Sequence, residues 1–155
     1  YPRGWDRWEE YLAHADAVQM NKDECRVLFK KNISDVEGFV ECAAAVLDTG
    51  ARHAIITLRN QGLILAHRTP ADEYVHIPPV PCTVRDLSGS GDAFAAGFLV
   101  GLHEGKSPID AAKQGGVLAA LNTEFVGYMK GVTRQMIAAR TPKDFEHAVL
   151  EYKSA

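Results

Sequence analysis

The sequence predicts an α/β fold, and three observations carry that expectation. An apolar stretch at Asp16–Met20 is followed by helical periodicity through Lys31 and again from Val36 to Leu47, then by the β-branched run His53–Leu58. Strand, helices and strand in that order imply a right-handed crossover and a parallel pair. Further on, a glycine-rich turn at Asp86–Asp92 runs straight into an almost wholly apolar helix. Finally, Ser107-Pro108-Ile109-Asp110 and Thr141-Pro142-Lys143-Asp144 each set a hydroxyl at the N-cap, proline at the first helical position and aspartate in the first turn, so both mark helix starts.

In chain order, Trp5 to His14 carries Trp8, Tyr11 and Leu12 at helical spacing and leads into the first strand. Asn21 opens a helix. Ser34-Asp35-Val36-Glu37 reads as a capping-box start for a second one, whose Val36, Phe39, Val40, Ala43, Val46 and Leu47 keep the 3.6-residue period and which ends where Gly50 supplies a C-cap. Asn60-Gln61-Gly62 separates the strand ending at Leu58 from Leu63–His67 as a hairpin does, and Tyr74–Ile77 adds a strand stopped by Pro78-Pro79. Lys143–Lys153, with Phe145, Val149 and Tyr152, reads as an amphipathic closing helix. Trp5 and Trp8 are expected to form a docking face. No repeat or linker divides the chain, so residues 1–155 are read as one domain. It opens Tyr1-Pro2-Arg3-Gly4-Trp5 without an initiator Met, which reads as a cut piece, making the domain partial.

Composition narrows the function. With 46% apolar and 24% charged residues, disorder is a poor reading, and apolar runs such as Ala93–Gly101 stop short of the roughly 20 residues that span a bilayer. No membrane association is expected. Net charge is −3 and no Lys/Arg run exceeds Lys30-Lys31, so there is no nucleic-acid footprint and the expected partner is a small molecule. Cys25, Cys42 and Cys82 stand apart without C-x-x-C spacing and read as reduced, packed thiols of a cytoplasmic protein. The six histidines lack metal-site spacing and read as surface or strand-face residues.

The sharpest chemical signal is Asp86-Leu87-Ser88-Gly89-Ser90-Gly91-Asp92. Glycines let successive N–H groups converge, and the helix behind adds the positive end of its dipole, so the turn suits an anion. Asp92, fixed at the start of a packed helix, can accept a proton from a substrate hydroxyl during phosphoryl transfer. Ala93, Gly97 and Gly101 lie on one face of that helix and Phe94, Phe98 and Leu102 on another, which permits close packing on both sides. The P-loop, dinucleotide and nucleophile-elbow patterns all fail here: no Gly-Lys-Ser/Thr follows, Phe94 stands where a third glycine belongs, and Ser88 stands in place of the elbow's first glycine. A second signal, Asn21-Lys22-Asp23-Glu24, sits at a strand end where α/β sheets bind ligands, and is equally a capping box.

In this order, with Thr57-Leu58-Arg59-Asn60-Gln61-Gly62 between them, the two motifs resemble those of the ribokinase-like (PfkB) carbohydrate kinase family. The resemblance runs from about Trp5 to Gly127 and is to the family's C-terminal half, implying part of a mostly parallel sheet flanked by helices, with an antiparallel hairpin. It implies an ATP-dependent phosphotransferase acting on a hydroxyl of a sugar, nucleoside or related small molecule. Asp92 would be the catalytic base, and Gly89, Ser90 and Gly91 would form the anion hole. Asn21 and Glu24 would organise Mg²⁺ through water, Thr57, Arg59 and Gly62 would line the nucleotide site, Asp86 and Ser88 would hold a monovalent cation, and Asn122 would help close the adenine pocket. This chain departs from the family pattern at Arg59, where the first glycine of the nucleotide loop is replaced, at Leu87, which lacks a hydroxyl, and at Arg85, where an apolar residue is common. The alternative expectation is an inactive nucleotide-binding or structural half that self-associates, for instance as a homodimer.

Overall fold

The computed structural model describes residues 7–127, 132–142 and 145–152. It divides into two compact units, Tyr1–His76 with Ala148–Ala155, and Ile77–His147.

The first unit begins with a short helix, α1 (Trp8–Leu12), and β1 (Ala17–Asn21). Then come α2 (Lys22–Phe29) and α3 (Val36–Asp48), β2 (His53–Thr57), a 3-10 turn (Arg59–Gln61), β3 (Leu63–His67) and β4 (Glu73–Ile77). A last strand, β5 (Ala148–Leu150), returns to this unit. Strand order is β1-β2-β3-β4-β5. The predicted parallel pair is β1 with β2, and the predicted hairpin is β2 with β3 in antiparallel register from His53↔His67 to Thr57↔Leu63. The α/β expectation holds, and within this chain the sheet is mixed, since β4 and β5 also pair antiparallel.

Local chemistry explains the helices that frame this sheet. Asp35, rather than Ser34, caps α3 by accepting from the Gly38 N–H at 2.9 Å. The helix then buries Phe39, Val40, Ala43, Ala44, Val46 and Leu47 on a core shared with Val18, Met20, Ala54, Ile56, Ile64 and Ala66. Each large aliphatic side chain buried there contributes about 1.5–3 kcal/mol of transfer free energy. Of the tryptophans, Trp8 packs edge-on to Phe29 with ring centroids 5.0 Å apart, so it serves this unit's own core instead of an outward docking face. Trp5 lies outside the described residues.

Among the described residues of Lys143–Lys153 the expected closing helix is not formed; Lys143, Asp144 and Lys153 lie outside them. Thr141 is the C-cap of an unpredicted helix, α6 (Arg134–Arg140), and Ala148–Leu150 is the strand β5. Pairing with β4 gives its backbone partners on one side, and Tyr152 packs on Tyr74 at 5.0 Å, so a tertiary partner overrides local helical periodicity.

The second unit is built on α4 (Ser90–His103) and α5 (Pro108–Thr123). Ser107 caps α5 by accepting from Asp110 N–H, as its sequence predicts. The two helices touch backbone to backbone: a Cβ at Gly97 would lie 2.8 Å from Gly115 Cα, and one at Gly101 would lie 2.8 Å from Ala111 Cα. Gln114 adds a hydrogen bond from its Nε2 to the Gly97 carbonyl at 3.0 Å. Ala93, Phe94, Gly97, Phe98 and Gly101 are buried, whereas Leu99 and Val100 on the remaining face are exposed. Cys25 and Cys42 are packed as expected, but Cys82 is exposed.

Candidate active site

In the first unit, the carboxyl ends of the parallel strands gather several of the predicted residues. Asn21 and Thr57 are register partners at the last positions of β1 and β2. Asn21 Oδ1 accepts from the N–H groups of Asp23 and Glu24, both at 2.9 Å, and Glu24 Oε2 accepts from Asn21 N–H at 2.8 Å. The reciprocal capping box is complete and fixes both side chains where α/β sheets present their ligand loops.

Beyond Thr57 the chain makes a tight turn in which Leu58 N–H donates to the Gly62 carbonyl at 2.7 Å. Gly62, at φ 85° and ψ −134°, has a backbone only glycine adopts without strain. Arg59 takes up the left-handed conformation that the family's glycine would enter freely, with φ 58°. Such a conformation costs a non-glycine residue on the order of 1 kcal/mol. Its Nη2 lies 2.6 Å from Asp23 Oδ2, while Asp23 Oδ1 receives Arg26 Nη1 at 3.0 Å. Arg26 is held further by two bonds to the Ile33 carbonyl, at 2.8 and 2.7 Å. Asp23 and Arg26 were not among the sequence candidates; Asp23 lies inside the N-x-x-E motif, which was the available signal.

In the second unit the glycine turn is braced from three sides. The Thr123 carbonyl accepts from Arg85 N–H (2.7 Å) and Asp86 N–H (3.1 Å). Asp86 Oδ1 accepts from Ser88 N–H at 2.9 Å and its Oδ2 from Gly127 N–H at 3.0 Å. These N–H donors, Gly127 first and Ser88 next, hold the Asp86 carboxyl below its usual range. Asn122 donates from Nδ2 to the Ser88 carbonyl at 2.8 Å and is only 2% exposed. Asn122 is thus an interior brace of the turn rather than an open wall of a ligand pocket. The Thr123 carbonyl, which sequence reasoning passed over, shares that task; as a main-chain acceptor it leaves no mark on residue type.

Gly89 stands at the α4 N-cap with φ 71°, a left-handed position natural to glycine, and no side chain caps the helix. Asp92 is exposed in the first turn. Ser90 N–H donates to the Leu87 carbonyl at 3.2 Å, so that member of the expected anion hole is already engaged by the turn. Leu87 itself is 60% exposed. The four residues expected to handle cations are divided between the units, Asn21 and Glu24 in the first, Asp86 and Ser88 in the second. Among the described residues, no three His, Cys, Asp or Glu side chains cluster as a metal site, and no helix is long and apolar enough to cross a membrane.

The family model for pfkB family carbohydrate kinases matches residues 2–133. This chain belongs to that family. It is 30% identical over 127 residues to the bifunctional protein HldE of Pelobacter propionicus, covering 81% of this chain and 25% of that protein. The solved ribokinase of Thermotoga maritima superposes with a TM-score of 0.74 at 26% identity, covering 90% of this chain and 46% of that one. An Arabidopsis thaliana ribokinase solved with ribose and ATP superposes at 0.75 and 23% identity, covering 86% and 43% respectively, and shows the shared ribokinase-like fold. The pfkB chain described here therefore spans less than half the length of each of these relatives.

Proposed function

We propose that this pfkB chain supplies the nucleotide and catalytic groups of an ATP-dependent kinase that phosphorylates a hydroxyl of a sugar or related small molecule, nucleosides included. One observation carries the reading: Asp92 stands exposed at the head of a helix whose N-terminus has no side-chain cap and whose glycine turn is held rigid by Asp86, Asn122 and Thr123. Asp92 takes the proton of the attacking hydroxyl, and the N–H groups of Gly89 and Gly91 face the charge that develops on the transferred phosphoryl group. ATP and Mg²⁺ supply the phosphoryl group and the shielding of its charge. Thr57, Arg59 and Gly62 line the nucleotide side. Asn21 and Glu24 offer the oxygen donors a hard cation prefers; with Asn21 Oδ1 accepting two backbone N–H groups and Glu24 Oε2 a third, they would hold Mg²⁺ through water. The carboxylate of Asp86, kept ionised, suits a monovalent cation beside Ser88.

Asp92→Asn tests this. The variant should lose about 10²–10⁴-fold in kcat while retaining ATP affinity; a wild-type rate would remove Asp92 from the role of base. The second reading, a nucleotide-binding half that is inactive alone, is favoured by the chain's covering 46% of the T. maritima ribokinase. Binding of Mg-ATP without turnover across sugars and nucleosides would support it, and turnover by these 155 residues would exclude it.

A further inference from the structure

The Arg59–Asp23 pair joins a residue of the nucleotide loop to the turn that carries Asn21 and Glu24. Several features set Arg59 apart. It occupies a left-handed conformation at φ 58°, a strain of the kind retained where a side chain has work to do. Its side chain is 64% exposed and is held by Asp23 through one nitrogen, Nη2. Asp23 serves two guanidinium groups at once, and the other, Arg26, is anchored to the Ile33 carbonyl as well. One carboxylate thus balances two cations, and Arg59 is the cation with the weaker tether. Both partners are over half exposed, so the pair is worth little to stability, about 1 kcal/mol at most. A phosphate oxyanion offers the same guanidinium a bidentate, charge-assisted partner.

Building on the nucleotide reading above, we propose that Arg59 is a phosphate-reading residue held in reserve by Asp23. Its guanidinium leaves the carboxylate for a phosphate of the nucleotide, so the preference for a nucleotide over its bare nucleoside is set by competition between the two anions. Asp23 is then a tuning residue: it holds the cation in place before the nucleotide arrives and lowers phosphate affinity by the strength of the pair. A glycine at 59, which pays no strain at φ 58°, would form an unstrained loop lacking this discrimination.

The test is the affinity of the protein for ATP and for adenosine, measured by calorimetry in wild type, Asp23→Asn, Arg59→Gly and the double variant, with thermal unfolding run alongside. Asp23→Asn should tighten ATP binding by about 2- to 5-fold, the exchange value of an exposed ion pair, and leave adenosine unchanged. Arg59→Gly should weaken ATP about 10-fold, leave adenosine unchanged and unfold no earlier than wild type. The double variant should match Arg59→Gly, because Asp23 reaches the nucleotide through Arg59, while Arg26, its other partner, stays anchored to the Ile33 carbonyl. If ATP binds and Asp23→Asn leaves its affinity unchanged or weakens it, or if the double variant still gains from the loss of Asp23, the exchange is wrong while the nucleotide site stands. If wild type binds neither ATP nor adenosine, the nucleotide reading falls and this inference with it.

Discussion

Replacing Gly97 by alanine tests the backbone contact that positions the helix behind Asp92. In an exposed helix the change would stabilise by about 0.8–1.0 kcal/mol, because glycine surrenders more backbone freedom on folding. Here the new Cβ would lie 2.8 Å from Gly115 Cα and 3.2 Å from both Gly115 N and the Gln114 carbonyl oxygen. These are main-chain atoms, so no side chain can rotate out of the way. The gap between α4 and α5 must widen by about 0.6 Å, from 2.8 Å to the 3.4 Å where ordinary contact begins. Overpacking of this kind costs roughly 1–3 kcal/mol, and a rigid backbone neighbour places it at the upper end. Net of the helix gain, Gly97→Ala should destabilise by about 2 kcal/mol. Gly116→Ala is the internal control: its Cβ would meet only Val80 Cγ2 at 3.9 Å, so the helix gain of about 1 kcal/mol should appear undiminished. Thermal unfolding should shift down by about 4–8 °C in the first variant and up by about 2–4 °C in the second, at the 2–4 °C per kcal/mol of chains this size. A Gly97→Ala protein that unfolds at or above the wild-type temperature would refute the close approach of the two helices.

Three other outcomes follow from contacts described above. Asn122→Ala, which strands the Ser88 carbonyl and loosens the glycine turn, should cost about 1–3 kcal/mol in urea unfolding and lower kcat more than it raises KM for ATP. His53 is held below its ordinary pKa, by burial first and then by the facing His67 and neighbouring Arg52, with Asp16 opposing. Since the folded state disfavours its proton, stability should be full above the unfolded value near 6.5 and decline as pH falls through it; His53→Gln should flatten that decline in pH-dependent melting curves, and an unchanged slope would assign it elsewhere. The 155-residue chain alone should self-associate, because β1 has a strand neighbour on one side only among the described strands and Leu99 and Val100 of α4 are 57% and 46% exposed. Light scattering at micromolar concentration that shows a sharp-melting monomer would contradict this.

The glycine turn and its helix were legible in the sequence because their demands are local: Gly89 must enter a left-handed conformation, and small residues at 93, 97 and 101 must share a face. The capping box at Asn21–Glu24 and the hairpin at Gly62 were legible for the same reason, each being closed within a few residues. The braces were not. Asn122 reaches Ser88 across 34 positions and Arg59 reaches Asp23 across 36, and neither spacing leaves a periodic trace. Ala148–Leu150 was misread for a related reason. Val149 and Tyr152 fit a helical stripe, and only the open edge of β4, far back in the chain, turns that segment into a strand.

That returning strand places the whole second unit as an insertion between β4 and β5. On a ribosome, β4 emerges while its partner is still roughly 70 residues from being made, a delay on the order of 4–14 s at ordinary elongation rates. The equilibrium penalty of closing so long an excursion is modest, since it grows only with the logarithm of length. The delay is the larger consequence. For those seconds the β4 edge stands open as well as that of β1, and a chaperone or a neighbouring strand can reach it.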